Sequence, residues 1–158
     1  SWPGYDEGRW WVQDVSSTLP AIVLRGSLSG SKRPASEMHV VDMCAAPGGK
    51  TSQLLNYGYG KVTAVEADAR RCRRLRENLE RLDFEDWERR CEVVVAMGQD
   101  WTPGDNAVDG VLLDVPCSAT GTGARRPDVL RRSQDLGNLP ETQRLLAEHV
   151  VDNVLQPG

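Results

Sequence analysis

The segment Asp42-Met-Cys-Ala-Ala-Pro-Gly-Gly-Lys-Thr51 decides the fold of this chain. It starts inside the apolar run 39–44 and leads through two glycines into a predicted helix over residues 50–56. Where a strand meets a helix at a glycine-rich turn, a ligand can approach the backbone closely, and the amides of the helix N-terminus face it. The pattern predicts the first strand–turn–helix unit of a nucleotide-binding α/β fold. A turn of this composition that binds nothing is the alternative.

The rest of the chain alternates strand and helix patterns. Apolar, β-branched runs predict three more strands, over residues 61–67, 91–97 and 107–115. Helical spacing of apolar residues predicts a helix over residues 69–82 and another over 140–155. The apolar stripe of the first of these helices consists of Cys72, Leu75, Leu79 and Leu82. Alternating strands and helices are joined by right-handed crossovers, so the sequence predicts a parallel sheet.

The chain is predicted to divide into three parts. Residues 1–25 form an N-terminal helical segment, in which Pro20 is expected within the first turn because a proline further along removes a main-chain hydrogen bond. Residues 26–36, GSLSGSKRPAS, are interpreted as a flexible connector because they are rich in glycine and serine. Residues 37–158 form the α/β core.

Composition narrows the class of protein. The chain has 158 residues, and no run approaches the ~20 consecutive apolar residues of a membrane span. A net charge of −4 argues against binding of nucleic acid through bulk charge alone, although it leaves room for a local basic face. The four cysteines form no CxxC pair, so no metal site is predicted, and a reducing intracellular compartment is the simpler interpretation.

Two further signals fall where predicted strands end. Glu66 lies 24 residues after Asp42, at the place of the acid that holds ribose hydroxyls in nucleotide-binding α/β folds. The segment Asp114-Val-Pro-Cys-Ser-Ala-Thr-Gly-Thr122 follows the fourth strand. Because active sites of open α/β sheets lie at the carboxyl ends of strands, Asp114 and Cys117 are predicted to share a crevice with the glycine-rich turn. For Cys117, a small buried hydrophobic residue is the alternative. The chain has no GxGxxG, so a nucleotide-dependent oxidoreductase is a weaker hypothesis.

These motifs resemble those of the Sun/Fmu/RsmB family of RNA (cytosine-5) methyltransferases, with the bacterial 16S ribosomal RNA enzymes most similar. The resemblance rests on DMCAAPGGKTSQL, VEADARRCRRLRENLERL and DVPCSATGT followed by RRPDV. It implies a Rossmann-like, class I S-adenosylmethionine-dependent methyltransferase fold, incomplete here at about four of seven strands, and ribosomal RNA as the substrate. Asp100 would lie beside the adenine. The full set of cofactor-binding residues that the resemblance implies is Cys44, Ala45, Ala46, Pro47, Gly48, Gly49, Lys50, Glu66, Arg71, Asp100 and Asp114.

The resemblance also assigns catalytic roles. A thiolate that adds to carbon 6 of cytosine makes carbon 5 nucleophilic. Cys117 matches the cysteine that assists release of the product, Asp114 matches the carboxyl group at the pyrimidine edge, and Lys50 is a candidate to lower the pKa of the thiol. The family's attacking thiol lies in a Thr-Cys motif, and these residues contain no Thr-Cys pair. We therefore expect the chain to be truncated before that motif and inactive alone, with Cys117 as nucleophile the alternative.

RNA and protein partners are expected on two surfaces. The loop after the second motif carries the candidate phosphate contacts Arg125, Arg126, Arg131 and Arg132, with a solvated surface as the alternative. The incomplete sheet leaves the strand at 108–115 with an unpaired edge, so a second polypeptide or a missing C-terminal segment is expected against it. A non-catalytic or split module with a structural role in a ribosomal RNA–protein assembly is the alternative function. The resemblance implies the cytoplasm or an organelle matrix with ribosomes.

Overall fold

Four parallel strands form one sheet in the computed structural model of the chain. The structure describes residues 2–84, 86–124, 127–131 and 138–155, with only the backbone at residues 130 and 131. The strands are β1 (His39–Met43), β2 (Lys61–Glu66), β3 (Cys91–Val95) and β4 (Gly110–Leu113), in the order β3-β2-β1-β4. The predicted α/β class with a parallel sheet is confirmed.

Helices cover both faces of this sheet. They are α1 (Val15–Leu28), α2 (Gly49–Asn56), α3 (Ala69–Leu82), the short α4 (Trp87–Arg90) and α5 (Leu139–His149), which continues as a π-helical turn over Val150–Val154. Short 3-10 turns occur at Ala35–Glu37, Thr120–Thr122 and Pro127–Arg131. No helix among the described residues is long and apolar enough to cross a membrane.

The core lies on the two faces of the sheet. All of β1 is buried, as expected for a parallel strand that is covered on both sides. Alternate residues of the strands therefore face different clusters: Val40 and Val62 pack with residues of α2 and α3, whereas Val41 and Val65 pack with the end of α5. The predicted stripe of α3 is confirmed, because all four of its members are buried.

The structure differs from the sequence-based predictions in α1 and at the start of β4. Pro20 is the sixth residue of α1 and not in its first turn, so the carbonyl of Ser16 receives no main-chain hydrogen bond from it. The last turn of α1 reaches Leu28, so the predicted connector 26–36 starts inside a helix. β4 begins only at Gly110, because the preceding Asp109 uses its carboxylate to accept the amide of His39 (2.8 Å) and to pair with Arg33.

The strand order locates the crevice in which a ligand can bind. After β3, at one edge of the sheet, the chain crosses over to β4, which pairs with the other side of β1. Such a change in direction is a topological switch point, and ligands of open α/β sheets bind there, outside the carboxyl ends of the strands. The main motifs of the candidate site in the sequence lie on the segments that follow β1, β2 and β4.

Candidate functional site

A cavity of about 290 Å³ lies at the carboxyl ends of β1, β2 and β3. We call it the strand-end cavity. Residues after β2 and β3 form most of its wall, and α5 closes one side. The wall consists of Cys44, Val65, Glu66, Ala67, Asp68, Arg71, Ala96, Met97, Gly98, Gln99, Pro116, Thr142 and Leu146.

Glu66 is the buried acid of this cavity. Its side chain is only 5% exposed, and its carboxylate accepts the backbone amides of Asp68 (3.1 Å) and Ala46 (3.3 Å). The Arg71 guanidinium lies 3.1 Å from this carboxylate and donates to the carbonyl of Ala46 (2.6 Å). The carboxylate, the guanidinium and the glycine-rich turn thus form one connected unit on the cavity wall. Burial of a charged group is tolerated here because it is paired and hydrogen-bonded.

The glycine-rich turn (residues 44–49) is held tightly against the sheet and α3. The amide of Ala45 donates to the carbonyl of Val65 (3.0 Å). Gly48 has a φ of 102°, and a Cβ on it would lie 3.1 Å from Leu75, so a side chain there meets both backbone strain and a close contact. Asn78 donates to the carbonyl of Pro47 (2.8 Å), a contact that motif spacing did not reveal.

Asp42 supports the turn from within the sheet. Its side chain is fully buried, and it accepts a hydrogen bond from the Thr51 hydroxyl (2.6 Å) in the first turn of α2. Its Oδ1 atom has no hydrogen-bond partner among the described residues. Burial raises the pKa of Asp42 to about 7, and the nearby carboxylates of Asp114 and Glu66 add to the increase.

The buried Asp42 gives a prediction for stability. Its pKa is about 7 in the folded chain and near 3.8 when exposed, so the stabilisation that it contributes is complete below pH 3.8 and is lost as the pH rises through 7. Asp42→Asn does not titrate. Between pH 5 and pH 8 we expect the unfolding free energy of the wild type to fall relative to that of the variant by about 2 kcal/mol. Urea unfolding at both values measures this difference.

The comparison between variants isolates Asp42. Burial lowers the pKa of His39, which drives stability in the opposite direction with pH but does so equally in both proteins. Asp105→Asn, at an exposed carboxylate, is the matched control and should follow the wild type at every pH. Parallel pH profiles for the wild type and Asp42→Asn would contradict the prediction.

The four cysteines differ in their environments. Burial raises the pKa of the Cys44 thiol to about 11 and that of Cys91 to about 12, and it also raises the pKa of Cys72. These three groups are therefore uncharged thiols at neutral pH, and thiols react as thiolates. Cys117 is exposed, on the loop that follows β4. Of the four, Cys117 has the accessibility that a reactive cysteine needs.

The segment after β4 contacts the end of β1, the first turn of α2 and α5. Asp114 forms an ion pair with Lys50 at 2.7 Å, and its amide donates to the carbonyl of Met43 (3.2 Å). Gln143 of α5 donates to the carbonyl of Pro116 (2.8 Å). The Lys50 ammonium, which the sequence suggested as a neighbour for the Cys117 thiol, thus pairs with Asp114. Among the described residues, no group of three or more His, Cys, Asp or Glu side chains could hold a metal ion.

Of the predicted cofactor-binding residues, the structure places Cys44, Glu66 and Arg71 on the wall of the strand-end cavity. Asp100 is exposed and is not on the wall of the strand-end cavity, whereas its neighbour Gln99 is. Gln99 could have been found by the strand-end rule, since it follows β3 as Glu66 ends β2. Arg125, Arg126, Arg132 and the side chain of Arg131 lie outside the described residues, so their contact with RNA stays a prediction.

Comparison with known proteins agrees with this geometry. A family model described as 16S rRNA methyltransferase RsmB/F matches residues 32–158. Ribosomal RNA small subunit methyltransferase B from Erwinia tasmaniensis is 39% identical over an alignment of 163 positions, which covers 99% of this chain and 34% of that protein. The protein of the same name from Sodalis glossinidius is 39% identical over 148 residues, 90% of this chain and 31% of that one. The chain thus spans about a third of the length of the curated relatives that it matches.

Solved structures show the same fold. NSun6 from Pyrococcus horikoshii, crystallised with SFG, superposes with a TM-score of 0.78 at 25% identity, over 99% of this chain and 38% of that one. A methyltransferase homolog protein from Pyrococcus horikoshii gives a TM-score of 0.74 at 30% identity, over 99% of this chain and 46% of that one. Together with the family match over residues 32–158, these likenesses show that the chain belongs to the RsmB/F family of 16S rRNA methyltransferases.

Proposed function

We propose that this chain provides the cofactor site and part of the catalytic crevice of an enzyme that transfers a methyl group from S-adenosylmethionine to carbon 5 of a cytosine in ribosomal RNA. The observation that carries the proposal is the buried carboxylate of Glu66, which faces the strand-end cavity and is joined through Arg71 to the glycine-rich turn. The family and the neighbour NSun6, crystallised with SFG, support it.

The residues around the cavity fit this cofactor. The Glu66 carboxylate provides the acceptors that ribose hydroxyls require. The side chains of Ala96, Met97 and Leu146 give an apolar surface for a purine ring. A volume of about 290 Å³ is just below the ~300–1,000 Å³ typical of small-molecule pockets. A Cβ on Gly98 would lie 2.7 Å from the end of the Leu146 side chain, so a larger residue there would require Leu146 to shift.

The segment after β4 supplies the groups for the base. When bound, S-adenosylmethionine supplies a methyl group on a positively charged sulfur. Asp114 is exposed and fixed by Lys50, so its carboxyl group can hold or exchange a proton at the pyrimidine edge. Cys117 offers an accessible thiol, for which we propose the role in product release. Attack on carbon 6 then requires a thiol from outside these residues. Such an enzyme would work in a compartment that contains ribosomes.

A chimera tests the transfer reaction. In it, this chain replaces the matching third of the Erwinia tasmaniensis relative. Incubation with unmodified 16S ribosomal RNA and methyl-labelled S-adenosylmethionine should label the RNA, and digestion to nucleosides should recover the label in 5-methylcytidine. Label in another nucleoside would contradict the proposed target atom. Cofactor binding by the chimera without methyl transfer would favour the alternative of a structural, non-catalytic module.

We also propose that the edge of β4 is covered in the complete protein by an extended segment from outside these residues. An open apolar groove of about 570 Å³, the β4 groove, runs between this edge and α1. Leu19 and Val23 of α1 line it and are more than half exposed. Unpaired strand edges and exposed apolar patches both favour a further strand as the occupant. The curated relatives, about three times as long, have chain to provide one.

A further inference from the structure

A second cavity, of about 120 Å³, lies beside the end of the glycine-rich turn. Residues before α1, the turn and the second half of α3 enclose it, and no described residue lines both this cavity and the strand-end cavity. We call it the Arg81 cleft, because Arg81 is the one charged side chain among the described residues of its wall. Since the wall carries a cation and no carboxylate, the cleft favours an anionic ligand.

The guanidinium of Arg81 is fixed through one nitrogen and unpaired at the other two. Its Nη1 donates to the carbonyls of Tyr5 (2.6 Å) and Trp10 (3.2 Å). Its Nε and Nη2 groups donate to no described residue. These two groups form the fork of parallel N–H bonds that binds two oxygens of a phosphate. The contacts of Nη1 therefore hold a phosphate-binding fork in place before a ligand arrives.

Ser52 provides a further donor on the same wall. It belongs to α2 and is only 1% exposed, yet its hydroxyl makes no hydrogen bond to any described residue. A buried hydroxyl without a partner is destabilising, and an anion in the cleft satisfies it. No side chain caps the N-terminus of α2, so the positive end of the helix dipole adds to the attraction. The ligand needs none of the amides of the turn, which stay available to the cofactor.

An aromatic surface adjoins the Arg81 cleft. Tyr5 and Val12 line both the cleft and an open apolar cavity of about 610 Å³, and the other described residues of that cavity are Trp2, Asp6 and Trp10. Trp10 packs edge-on against Tyr5 with 5.1 Å between the ring centres, and Trp2 is 79% exposed. Surfaces that bind single-stranded nucleic acid combine cations for the backbone with aromatic rings on which bases stack. The two adjoining cavities supply both parts.

We propose that the Arg81 cleft and the aromatic surface bind one nucleotide of single-stranded RNA, with its phosphate at Arg81 and Ser52 and its base on Trp2 and Trp10. An apolar peptide segment fits less well, because it would bury the fork of Arg81 without an acceptor. This contact lies outside the strand-end cavity, so it holds the RNA strand away from the cofactor. The inference rests on the proposed function for the choice of RNA as the ligand.

NMR titration of the chain with a pentanucleotide of uridine tests the proposal. Uridine is chosen because the proposed catalytic crevice binds adenosine and cytosine. We expect the pentanucleotide to shift the Arg81 Nε–H and Ser52 amide resonances, with an affinity that falls as salt is raised. Uridine 5′-monophosphate should shift the same resonances at weaker affinity. Uridine without a phosphate should leave the Arg81 Nε–H resonance in place.

Two variants separate the phosphate contact from the base contact. Ser52→Ala removes a hydroxyl that has no described partner, so it should fold and bind the pentanucleotide about 10-fold more weakly. Trp2→Ala should weaken the pentanucleotide by at least about 5-fold but leave the affinity for inorganic phosphate within about 2-fold. Ser16→Ala is the matched control, because Ser16 is exposed and lines the β4 groove, and it should bind as the wild type does.

Three results would overturn this inference: no shift of the Arg81 Nε–H resonance with the pentanucleotide, wild-type affinity of folded Ser52→Ala, or inorganic phosphate binding as tightly as the pentanucleotide. Titration with S-adenosylhomocysteine, followed at the Glu66 amide, reports on the proposed function separately. If that ligand binds and the pentanucleotide leaves the cleft unchanged, only this inference fails. If the pentanucleotide binds at the cleft and S-adenosylhomocysteine does not bind, the proposed cofactor site fails and the inference stands. The wild-type titrations decide the question even if a variant does not fold.

Discussion

Replacement of Glu66 by glutamine is expected to weaken the binding of S-adenosylmethionine to this chain by about 100-fold. The carboxylate accepts two backbone amides and faces the Arg71 guanidinium at 3.1 Å, and we propose that it also accepts the ribose hydroxyls. Each hydrogen bond to a charged acceptor contributes about 1.5–3 kcal/mol, so loss of the charge for two hydroxyls accounts for such a change. Calorimetric titration of the two proteins measures it.

The control for this prediction is Glu92→Gln, on the adjacent strand β3. Glu92 is exposed, and it contacts Lys61 only at 3.7 Å, so its neutralisation should leave the affinity within about 2-fold of the wild type. Circular dichroism of Glu66→Gln should match that of the wild type if the variant keeps its overall helix content. Equal affinity of the folded variant and the wild type would exclude Glu66 as the ribose ligand and would leave the strand-end cavity without its central contact.

The position of Glu66 could be predicted because it depends on short-range features. A β-branched run ends at this residue, and parallel strands bring their carboxyl ends to one edge of the sheet. The buried stripe of α3 was predictable for the same reason, since the spacing of Leu75 and Leu79 alone places them on one face. The sequence therefore predicts features that follow from local periodicity and from the rule that sites lie at strand ends.

Details that depend on long-range contacts could not be predicted from the sequence. The predicted third strand ended at residue 97, but β3 ends at Val95, and it is Gln99, not Asp100, that lies on the wall of the strand-end cavity. The partner of Lys50 is Asp114, 64 residues away, so no local pattern could indicate it. Pro20 is the sixth residue of α1, although proline is disfavoured inside a helix because it cannot donate a main-chain hydrogen bond. The packing of α1 against the core through the buried Ala21 offsets this lost hydrogen bond.

The amides of β4 are expected to exchange hydrogen at least about 100-fold more slowly in the chimera than in this chain alone. β4 lies at the edge of the described sheet and pairs with β1 on one side only. Its outward-directed amides therefore exchange readily in the chain alone, and an added strand would bind them. β3, at the opposite edge, provides an internal control, since its exchange should be the same in both proteins.

A charge placed in the β4 groove tests the same expectation through stability. Val23 lines the groove and is 65% exposed, so Val23→Lys should change the unfolding free energy of the chain alone by less than about 0.5 kcal/mol. In the chimera, a strand over the groove would desolvate the introduced ammonium, and we expect a loss of about 2 kcal/mol or more. Val151→Lys, at a residue with 66% exposure outside the groove, should have the same small effect in both proteins. If the edge of β4 is bare, the introduced ammonium stays in water both in the chain alone and in the chimera. Equal effects of Val23→Lys on the stability of these two proteins would therefore show that nothing covers β4 and that the sheet ends there.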